Sequence, residues 1–343
     1  MPLGAHRPTS TCRGLEVREL IETPAEFLKT EVEGAEFYRA FKESDPEEFD
    51  LGYLEVSRDG NRVAIAPYFV TRYRLNTTIR PGPIKSALSP FWFRIACVGH
   101  PIADYGMIDG EVSPGVLSAL NEALFSKASI VAYKDFPANL PLEGFSMEPS
   151  LPVAALEVPL DYYARLKQHV RSDFRRRMRK AEKLRIEVFD GFPAAHAERI
   201  YQLYLNVYNK GELAFEKLNA AFFEKIGPIS RYILYWDKEA LIGFSLLICR
   251  GKSMHYKYLG MDYERGRPHG LYFIMSLSHI EMCLREGFTR YQTGSTSYAF
   301  KKRLGSTLHP VYLYFRHRNG LLNRLIGSYM RLASLESSAG LEP

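Results

Sequence analysis

Hydrophobic and polar positions along the chain follow two local periods, and these periods appear in the same order twice. In the first half, segments with helical spacing precede segments in which apolar and polar residues alternate, as in half-buried strands. A turn at Asp59-Gly60 joins two of these strands into a hairpin. The predicted elements are strand 15–20, helix 24–44, strands 52–57 and 62–73, helix 114–126 with Ser113 as N-cap, and strand 129–133.

The second half repeats this order after a proline-rich stretch, 137–152, which marks a seam. The predicted elements are strand 153–158, helix 161–183, strand 185–189, helices 193–210 and 218–226, strands 231–236, 240–249 and 253–262, helix 270–286, strand 289–293, helix 298–304 and strand 311–317. An apolar stripe on helix 161–183 predicts burial of Tyr163, Leu166, Val170, Phe174, Met178, Ala181 and Leu184.

The repeated order predicts a remote internal duplication of one α/β domain. A chain of 343 residues, 46% hydrophobic and 24% charged, is also long enough for two cores. The predicted fold class is α/β (α+β), with tandem domains that each hold a mixed, mostly antiparallel sheet flanked by helices. The predicted boundaries are 15–150 for the first domain, 151–318 for the second, and 319–343 for an amphipathic C-terminal helix and tail.

Positive charge is concentrated on one predicted helix. The formal net charge is +6, and the stretch from Arg165 to Arg185 holds ten Lys or Arg against Asp173 and Glu182, which is +8 and leaves −2 elsewhere. A helix face so unbalanced in sign repels itself and is expected to meet phosphates, whether of a cofactor, a nucleotide-linked acceptor, RNA or lipid head groups. The residues on this face are Arg171, Arg175, Arg176, Arg179 and Lys183.

Metal centres and disulfide frameworks do not fit the sequence. The four cysteines lie far apart without a Cys-x-x-Cys pair, and His100, His255 and His269 lack metal-ligand spacing, so that no metal is expected. The first fourteen residues lack a signal-like apolar run, and the longest later run, 241–249, is shorter than the roughly 20 residues that span a bilayer. A cytoplasmic location is expected.

Two segments carry candidate chemistry. The basic, glycine-rich stretch 264–272 joins a strand to a helix, where free N–H groups form an anion site, although the glycines and Pro268 also suit a plain turn. Lys301 lies just after a strand, where a lysine can stabilise negative charge or deliver a proton. Two adjacent lysines also suit a solvated helix face.

Three stretches together resemble one known superfamily. They are Lys134-Asp135-Phe136-Pro137, the run from Arg171 to Glu182, and Tyr258-Leu259-Gly260-Met261-Asp262. In order and spacing they resemble the Fem-like branch of the acyl-CoA N-acyltransferase (GNAT) superfamily, including the acetyltransferase-like proteins linked to cellulose or envelope biosynthesis. The resemblance covers most of the chain and is strongest over 153–316.

The resemblance implies roles for particular residues. Arg267-Pro268-His269-Gly270-Leu271 is similar to the first five places of the GNAT pyrophosphate loop, and Tyr272 departs from its small sixth residue. Lys301 lies four residues before Gly305, as the catalytic tyrosine of many GNAT proteins precedes a glycine, and Phe300-Lys301 is similar to a Fem-type pair. The expected catalytic residues are Lys301, Asp262, Glu264 and Tyr298; the expected cofactor-binding residues are Gly260, Arg265, Gly266, Arg267, His269 and Gly270; the expected substrate-binding residues are Asp104, Tyr105, Arg171, Arg175 and Arg179.

The expected activity is transfer of an acyl group from acyl-CoA to an amine of an envelope, lipid or metabolite acceptor. Two alternatives stay open: a Fem-type aminoacyltransferase that uses aminoacyl-tRNA, and a non-catalytic GNAT-like module that binds an envelope precursor. The acceptor would be amine-bearing, with phosphate-containing and lipid-linked acceptors among the candidates. The amphipathic, basic segment 321–335 is expected either to dock on its own domain or to contact the inner face of the membrane as a peripheral element.

Overall fold

The computed structural model describes residues 10–12, 14–74, 92–211, 216–295 and 297–328. The chain forms two compact units, and neither is contiguous in sequence. The first unit comprises the chain up to Lys29, Pro46–Leu151 and the chain from Pro310 onward. The second unit comprises Thr30–Asp45 and Pro152–His309.

The part of the chain before the seam begins with antiparallel strands. Its elements are β1 (Ser10–Cys12), β2 (Leu15–Leu20), α1 (Ala35–Glu43), β3 (Asp50–Arg58), β4 (Asn61–Arg74), β5 (Trp92–Val98), β6 (Asp109–Gly110), α2 (Pro114–Phe125), β7 (Ile130–Phe136) and β8 (Ser146–Pro149). Helix α2 begins as predicted, because the Ser113 hydroxyl accepts a hydrogen bond from the Val116 N–H.

The remaining elements form most of the second unit. They are β9 (Val153–Glu157), α3 (Tyr162–Arg165), α4 (Gln168–Ala181), β10 (Arg185–Asp190), α5 (Ala197–Lys210), α6 (Ala220–Lys225), β11 (Ser230–Asp237), β12 (Ala240–Arg250), β13 (Ser253–Met261), α7 (Tyr263–His269), α8 (Leu271–Glu286), β14 (Arg290–Gly294), α9 (Tyr298–Arg303), β15 (Thr307–His309) and β16 (Tyr312–His317). Residues 320–328 are also helical.

The two sheets share one plan. The first has the order β1-β2-β3-β4-β5-β7-β16-β8, with β6 pairing β4, and the second has the order β10-β11-β12-β13-β14-β9-β15. In each, an antiparallel meander ends in a parallel pair, β5 with β7 and β13 with β14. This repetition confirms the predicted mixed α/β fold in tandem.

The units are discontinuous because α1, which lies between β2 and β3 in the chain, belongs to the second unit, and β16 belongs to the first. Strand β16 follows the second repeat but pairs with β7 and β8 of the first sheet. Strand β9 lies between β14 and β15 of the second sheet. The unit boundaries therefore differ from a division at residues 150 and 318, since a strand's apolar pattern does not specify which sheet it joins.

Two predicted helices differ from the structure. Only Ala35–Glu43 of the predicted helix 24–44 is helical, because Leu28 has a φ of 44° and its N–H bonds the Asp109 carboxylate at 3.2 Å. The predicted helix 161–183 splits into α3 and α4, because Leu166 is extended with a ψ of 144°. The apolar stripe of this segment is nevertheless confirmed, since all of its residues belong to or pack against one core cluster.

That core cluster surrounds a buried histidine. His279 lies on α8 and is fully buried, with its Nδ1 2.7 Å from the Tyr291 hydroxyl. The Tyr256 ring packs against the imidazole at 4.6 Å between centroids. Burial lowers the pKa of His279 from 6.5 to about 3, so that the imidazole is neutral near pH 7.

This buried imidazole should make the protein sensitive to acid. Below pH 6.5 the unfolded chain takes up a proton at His279 and the folded protein does not until about pH 3, so stability falls with decreasing pH between those values. The slope should approach about 1.4 kcal/mol per pH unit. Urea unfolding over a pH series should show this slope, and His279→Gln should lose it while His309→Gln on β15 keeps it. Parallel profiles for the two variants would contradict the assignment.

Candidate functional site

A notch opens in the second sheet where two parallel strands separate. Strands β13 and β14 pair from Ser253↔Arg290 to His255↔Gln292, the last pair between them in the described residues. Strand β13 then continues to Met261, paired on its other side with β12, and a bulge interrupts that pairing at Lys257. The β14-facing edge of β13 beyond His255 therefore borders the notch.

The start of helix α8 follows directly from β13. Asp262 caps the short helix α7 by accepting a hydrogen bond from the Arg265 N–H at 3.1 Å. Gly270 then adopts a left-handed conformation, with a φ of 72°, and α8 begins at Leu271. The Phe273 N–H donates to the Gly270 carbonyl at 3.0 Å, so the N–H groups of Leu271 and Tyr272 precede the first hydrogen bond of α8. Such N–H groups at a helix start suit an anion.

Arg177 lies beside this turn. Its guanidinium stacks on the Phe273 ring at 4.0 Å, and a Cβ placed on Gly270 would lie 3.7 Å from its Nη1. The Asp173 carboxylate holds Arg177 at 2.9 Å, and it also pairs with Arg176 at 2.6 Å and Arg303 at 3.2 Å. Arg177, which makes the largest contribution, and Arg176 lower the pKa of Asp173 against the opposing effect of burial. One carboxylate thus gathers three guanidinium groups near the start of α8.

A polar cluster lies at the closed end of the notch. The Gln292 amide nitrogen is 3.3 Å from Nδ1 of His255, and both side chains are buried. Lys257 forms an ion pair with Glu33, in which the two side chains are only 3% and 7% exposed. A carboxylate oxygen of Glu33 lies within 4.8 Å of a ring nitrogen of His255. His255 is thus held between an amide and a buried carboxylate.

Lys301 is buried at the other arm of the notch. Its ammonium group donates hydrogen bonds to the carbonyl oxygens of Thr293, Gly294 and Ser295 at 2.6, 3.0 and 3.2 Å. The side chain is 5% exposed, which excludes the solvated-face interpretation. An ammonium group has three donors, and here they fix the chain at the end of β14.

Comparison with known proteins agrees with this geometry. A family model described as an acetyltransferase (GNAT) domain matches residues 168–302. The matched residues all lie within the second unit. A sequence search of curated proteins finds no match.

Several solved structures resemble this chain over most of its length. FemX covers 85% of this chain and 93% of its own at 13% identity and a TM-score of 0.56. The C-terminal domain of a protein described as a lysylphosphatidylglycerol synthetase from Agrobacterium fabrum covers 88% of this chain and 91% of its own, at 13% identity and a TM-score of 0.55. L-PGS from Bacillus licheniformis covers 85% of this chain and 90% of its own, at 10% identity and a TM-score of 0.55. At these identities the likeness is one of fold, and this chain shares the fold of the three proteins over most of its length.

The stretch 264–272, which was expected to form a turn, is mostly helical in the structure. Helix α7 extends to His269, and Gly270 after it adopts the left-handed conformation. Gly266 is required by packing, because a Cβ there would lie 3.1 Å from Met261 and 3.2 Å from Leu271. Gly260 is likewise packed, against Phe244 and the Leu203 backbone. Tyr272, the residue that departs from the family pattern, packs against Phe300 at 5.4 Å.

The two expected catalytic carboxylates, Asp262 and Glu264, lie at the start of α7. Burial alone would raise the pKa of Asp262, but the Arg265 N–H and the Arg199 guanidinium, 3.0 Å from Oδ2, outweigh it and lower that pKa. A carboxylate engaged in this way is a weak base. Glu264 is exposed on the first turn of α7. The fourth expected catalytic residue, Tyr298, donates a hydrogen bond from its hydroxyl to the Pro152 carbonyl at 2.9 Å.

The remaining expected residues lie on several different elements. Arg265 and Arg267 are exposed on α7, and His269 lies 3.8 Å from Asp237. Asp104 and Tyr105 lie in the first unit, between β5 and β6. The expected arginines of α4 are exposed or half-buried at the surface, namely Arg171, Arg175 and Arg179.

Sequence analysis missed two groups that the fold brings to the site. Arg177 was in the basic run but was not assigned a role, since only the split of helix 161–183 and its packing on α8 reveal its contact with Gly270. His255 was taken as structural, because its neighbours Glu33 and Gln292 are remote in sequence. Among the described residues, no helix has both the length and the apolar character needed to cross a membrane.

The geometry predicts that Lys301 supports folding as well as any chemistry. Lys301→Met should leave the Thr293–Ser295 carbonyls without their buried donor and lower the free energy of unfolding by about 2 to 4 kcal/mol. Lys302→Met, at the exposed neighbouring position, should change it by less than about 0.5 kcal/mol. Denaturant unfolding of both variants measures the difference. Equal stabilities would show that the three hydrogen bonds contribute nothing.

Proposed function

We propose that this protein is an N-acyltransferase that moves an acyl group from acyl-CoA to an amine of an envelope, lipid or metabolite acceptor. The observation that carries the proposal is the notch between β13 and β14, which leads from the His255–Gln292 pair to the start of α8. The GNAT match over residues 168–302 supports the same reaction class.

The donor's pyrophosphate would bind at the turn before α8. The first N–H groups of that helix supply hydrogen-bond donors, and the left-handed Gly270 has no side chain to obstruct a phosphate. Arg177 adds a positive charge beside Gly270, where Phe273 and Asp173 fix its guanidinium plane. Arg267, which the family pattern points to, is exposed nearby and would supplement this charge.

The thioester would enter the notch. Attack by a neutral amine forms the C–N bond and gives a tetrahedral oxyanion, whose collapse breaks the C–S bond and releases the CoA thiolate. Backbone N–H groups on the open edge of β13 near Gly260 suit stabilisation of that oxyanion. The buried charge of Lys301 would favour the anionic species from the other arm, without the ammonium leaving its carbonyls.

The amine proton needs an acceptor, and His255 suits this role better than Asp262. The imidazole lies at the closed end of the notch, with Gln292 at its Nδ1. For Nε2 to accept the proton, Nδ1 must carry the ring hydrogen and the Gln292 amide must turn its oxygen toward it. Asp262, by contrast, is engaged by Arg199 and the cap of α7. His255 is therefore the proposed general base.

A second candidate function is aminoacyl transfer from aminoacyl-tRNA. Its support is the exposed basic face of α4, including Arg171, Arg175 and Arg179, together with the fold shared with FemX. Mass spectrometry of ligands copurified with the protein separates the two functions: CoA supports acyl-CoA transfer, and bound tRNA supports the alternative. Tight polyanion binding without turnover of any acyl-CoA would favour a non-catalytic module.

The donor site gives a binding prediction. Arg177→Gln should raise the dissociation constant for CoA by about 10-fold to 150-fold, because a charge-assisted hydrogen bond contributes roughly 1.5 to 3 kcal/mol. Gly270→Val should weaken binding at least as much, through strain at its positive φ. Calorimetry with CoA measures both, and Lys180→Gln, on an exposed part of α4, is the matched control. If the unmodified protein does not bind CoA, the acyl-CoA proposal fails.

The proposed base gives a kinetic prediction. His255→Gln should lower kcat by about 10²-fold or more and remove the acidic limb of its pH profile, while CoA affinity stays unchanged. Thiol release from acetyl-CoA, followed with the amine that gives the highest rate in a panel, measures turnover. His309→Gln serves as the control. An unchanged pH profile in His255→Gln would assign the proton to another group.

A further inference from the structure

The helix 320–328, here called the C-terminal helix, is anchored through its polar side. Asn319 caps it by accepting hydrogen bonds from the N–H groups of Leu321 and Leu322 at 2.9 and 3.2 Å. The Asn323 amide oxygen accepts from the His317 N–H at 2.8 Å. Ile326 packs on a small core cluster of the first unit. Positions 319, 323 and 326 lie on one side of a helix, which is therefore the inward face.

The opposite face is apolar and exposed. Leu321 and Leu325, one turn apart, are 69% and 59% exposed, and Leu322 beside them is 41% exposed. An amphipathic helix that only docks on its own domain would turn its leucines inward and its asparagine outward. Here the arrangement is reversed, and the leucines form a continuous stripe on the outside.

Arginines border this stripe. Arg318 and Arg324 are exposed, as is Arg316, whose guanidinium lies above the Phe125 ring at 5.9 Å. Within the described residues, none of these three arginines pairs with an acidic side chain. Residues 310–335 contain four arginines, the fourth being Arg331, and no Asp, Glu or Lys. The charge that this segment itself contributes is thus positive throughout.

We infer that the C-terminal helix docks the protein on the surface of an anionic lipid bilayer. Leu321 and Leu325 would enter the boundary between head groups and acyl chains, and the arginines would meet the lipid phosphates. An apolar stripe bordered by one sign of charge fits this surface, because a neutral protein partner would leave the arginines without counter-charges. The described part of this helix, 320–328, is shorter than the roughly 20 residues that span a bilayer and suits the interface.

Co-sedimentation of the full chain with vesicles tests this inference. The protein should bind vesicles of phosphatidylglycerol mixed with phosphatidylcholine and bind phosphatidylcholine alone weakly. The double variant Leu321→Ser/Leu325→Ser should lower the partition coefficient by about 10-fold or more, and Arg318→Gln and Arg324→Gln by roughly 5-fold each. The matched control is Leu160→Ser, which alters a leucine that is 90% exposed in the second unit.

Several results would overturn the inference. They are the absence of binding to either vesicle, and binding that the leucine variants leave unchanged. Light scattering that shows a dimer abolished by Leu321→Ser/Leu325→Ser would instead assign the stripe to a contact between two copies. CoA affinity of the same variants, measured by calorimetry, is expected to stay unchanged and keeps this test separate from that of the donor site.

Discussion

The separation of β13 from β14 is the constraint on which the rest of the site depends. Parallel strands ordinarily keep their hydrogen bonds along their full length, and here the ladder stops at His255↔Gln292. The backbone groups beyond this pair need other partners, since an unsatisfied buried polar group is costly. On the β14 side, the Lys301 ammonium supplies three of them. The buried ammonium group of Lys301 therefore helps to keep the two strands apart at the notch.

The basic helix α4 meets a related constraint. Its arginines repel one another, and their charge is tolerated because Asp173 gathers Arg176, Arg177 and Arg303 around one carboxylate. This arrangement leaves a net positive charge at the start of α8, where the backbone N–H groups also point. Charge and helix end thus favour the same ligand chemistry, an anion, at the same place.

Much of the second unit's fold could be predicted from its sequence, because the periodicity of its helices and strands is strong. The apolar stripe from Tyr163 to Leu184 was correct even though Leu166 breaks the helix, since the break preserves which side chains face the core. The pairing of β16 with the first sheet could not be predicted, because it depends on hydrogen bonds between residues far apart in sequence.

The candidate site, like the fold, could be predicted from the sequence only in part. The glycine-rich stretch and Lys301 stood out by residue type and by resemblance to a family, and both lie near the notch. Arg177 looked like any other arginine of its run, since only its contact with Gly270 on another element distinguishes it. His255 looked structural because its partners Glu33 and Gln292 are far away along the chain.

The two buried lysines of the notch connect stability to chemistry. Lys257 sits in the bulge of β13 and pairs with Glu33, and Lys301 holds the end of β14, so a cation fixes each arm. Burying a charge is favourable only with partners that replace water, and each lysine has them. The printed partner of Lys257 is a carboxylate, whereas Lys301 donates to three carbonyl oxygens, so the two arms are fixed by different kinds of contact. An anion formed beside the β14 arm would gain stabilisation from the Lys301 ammonium group.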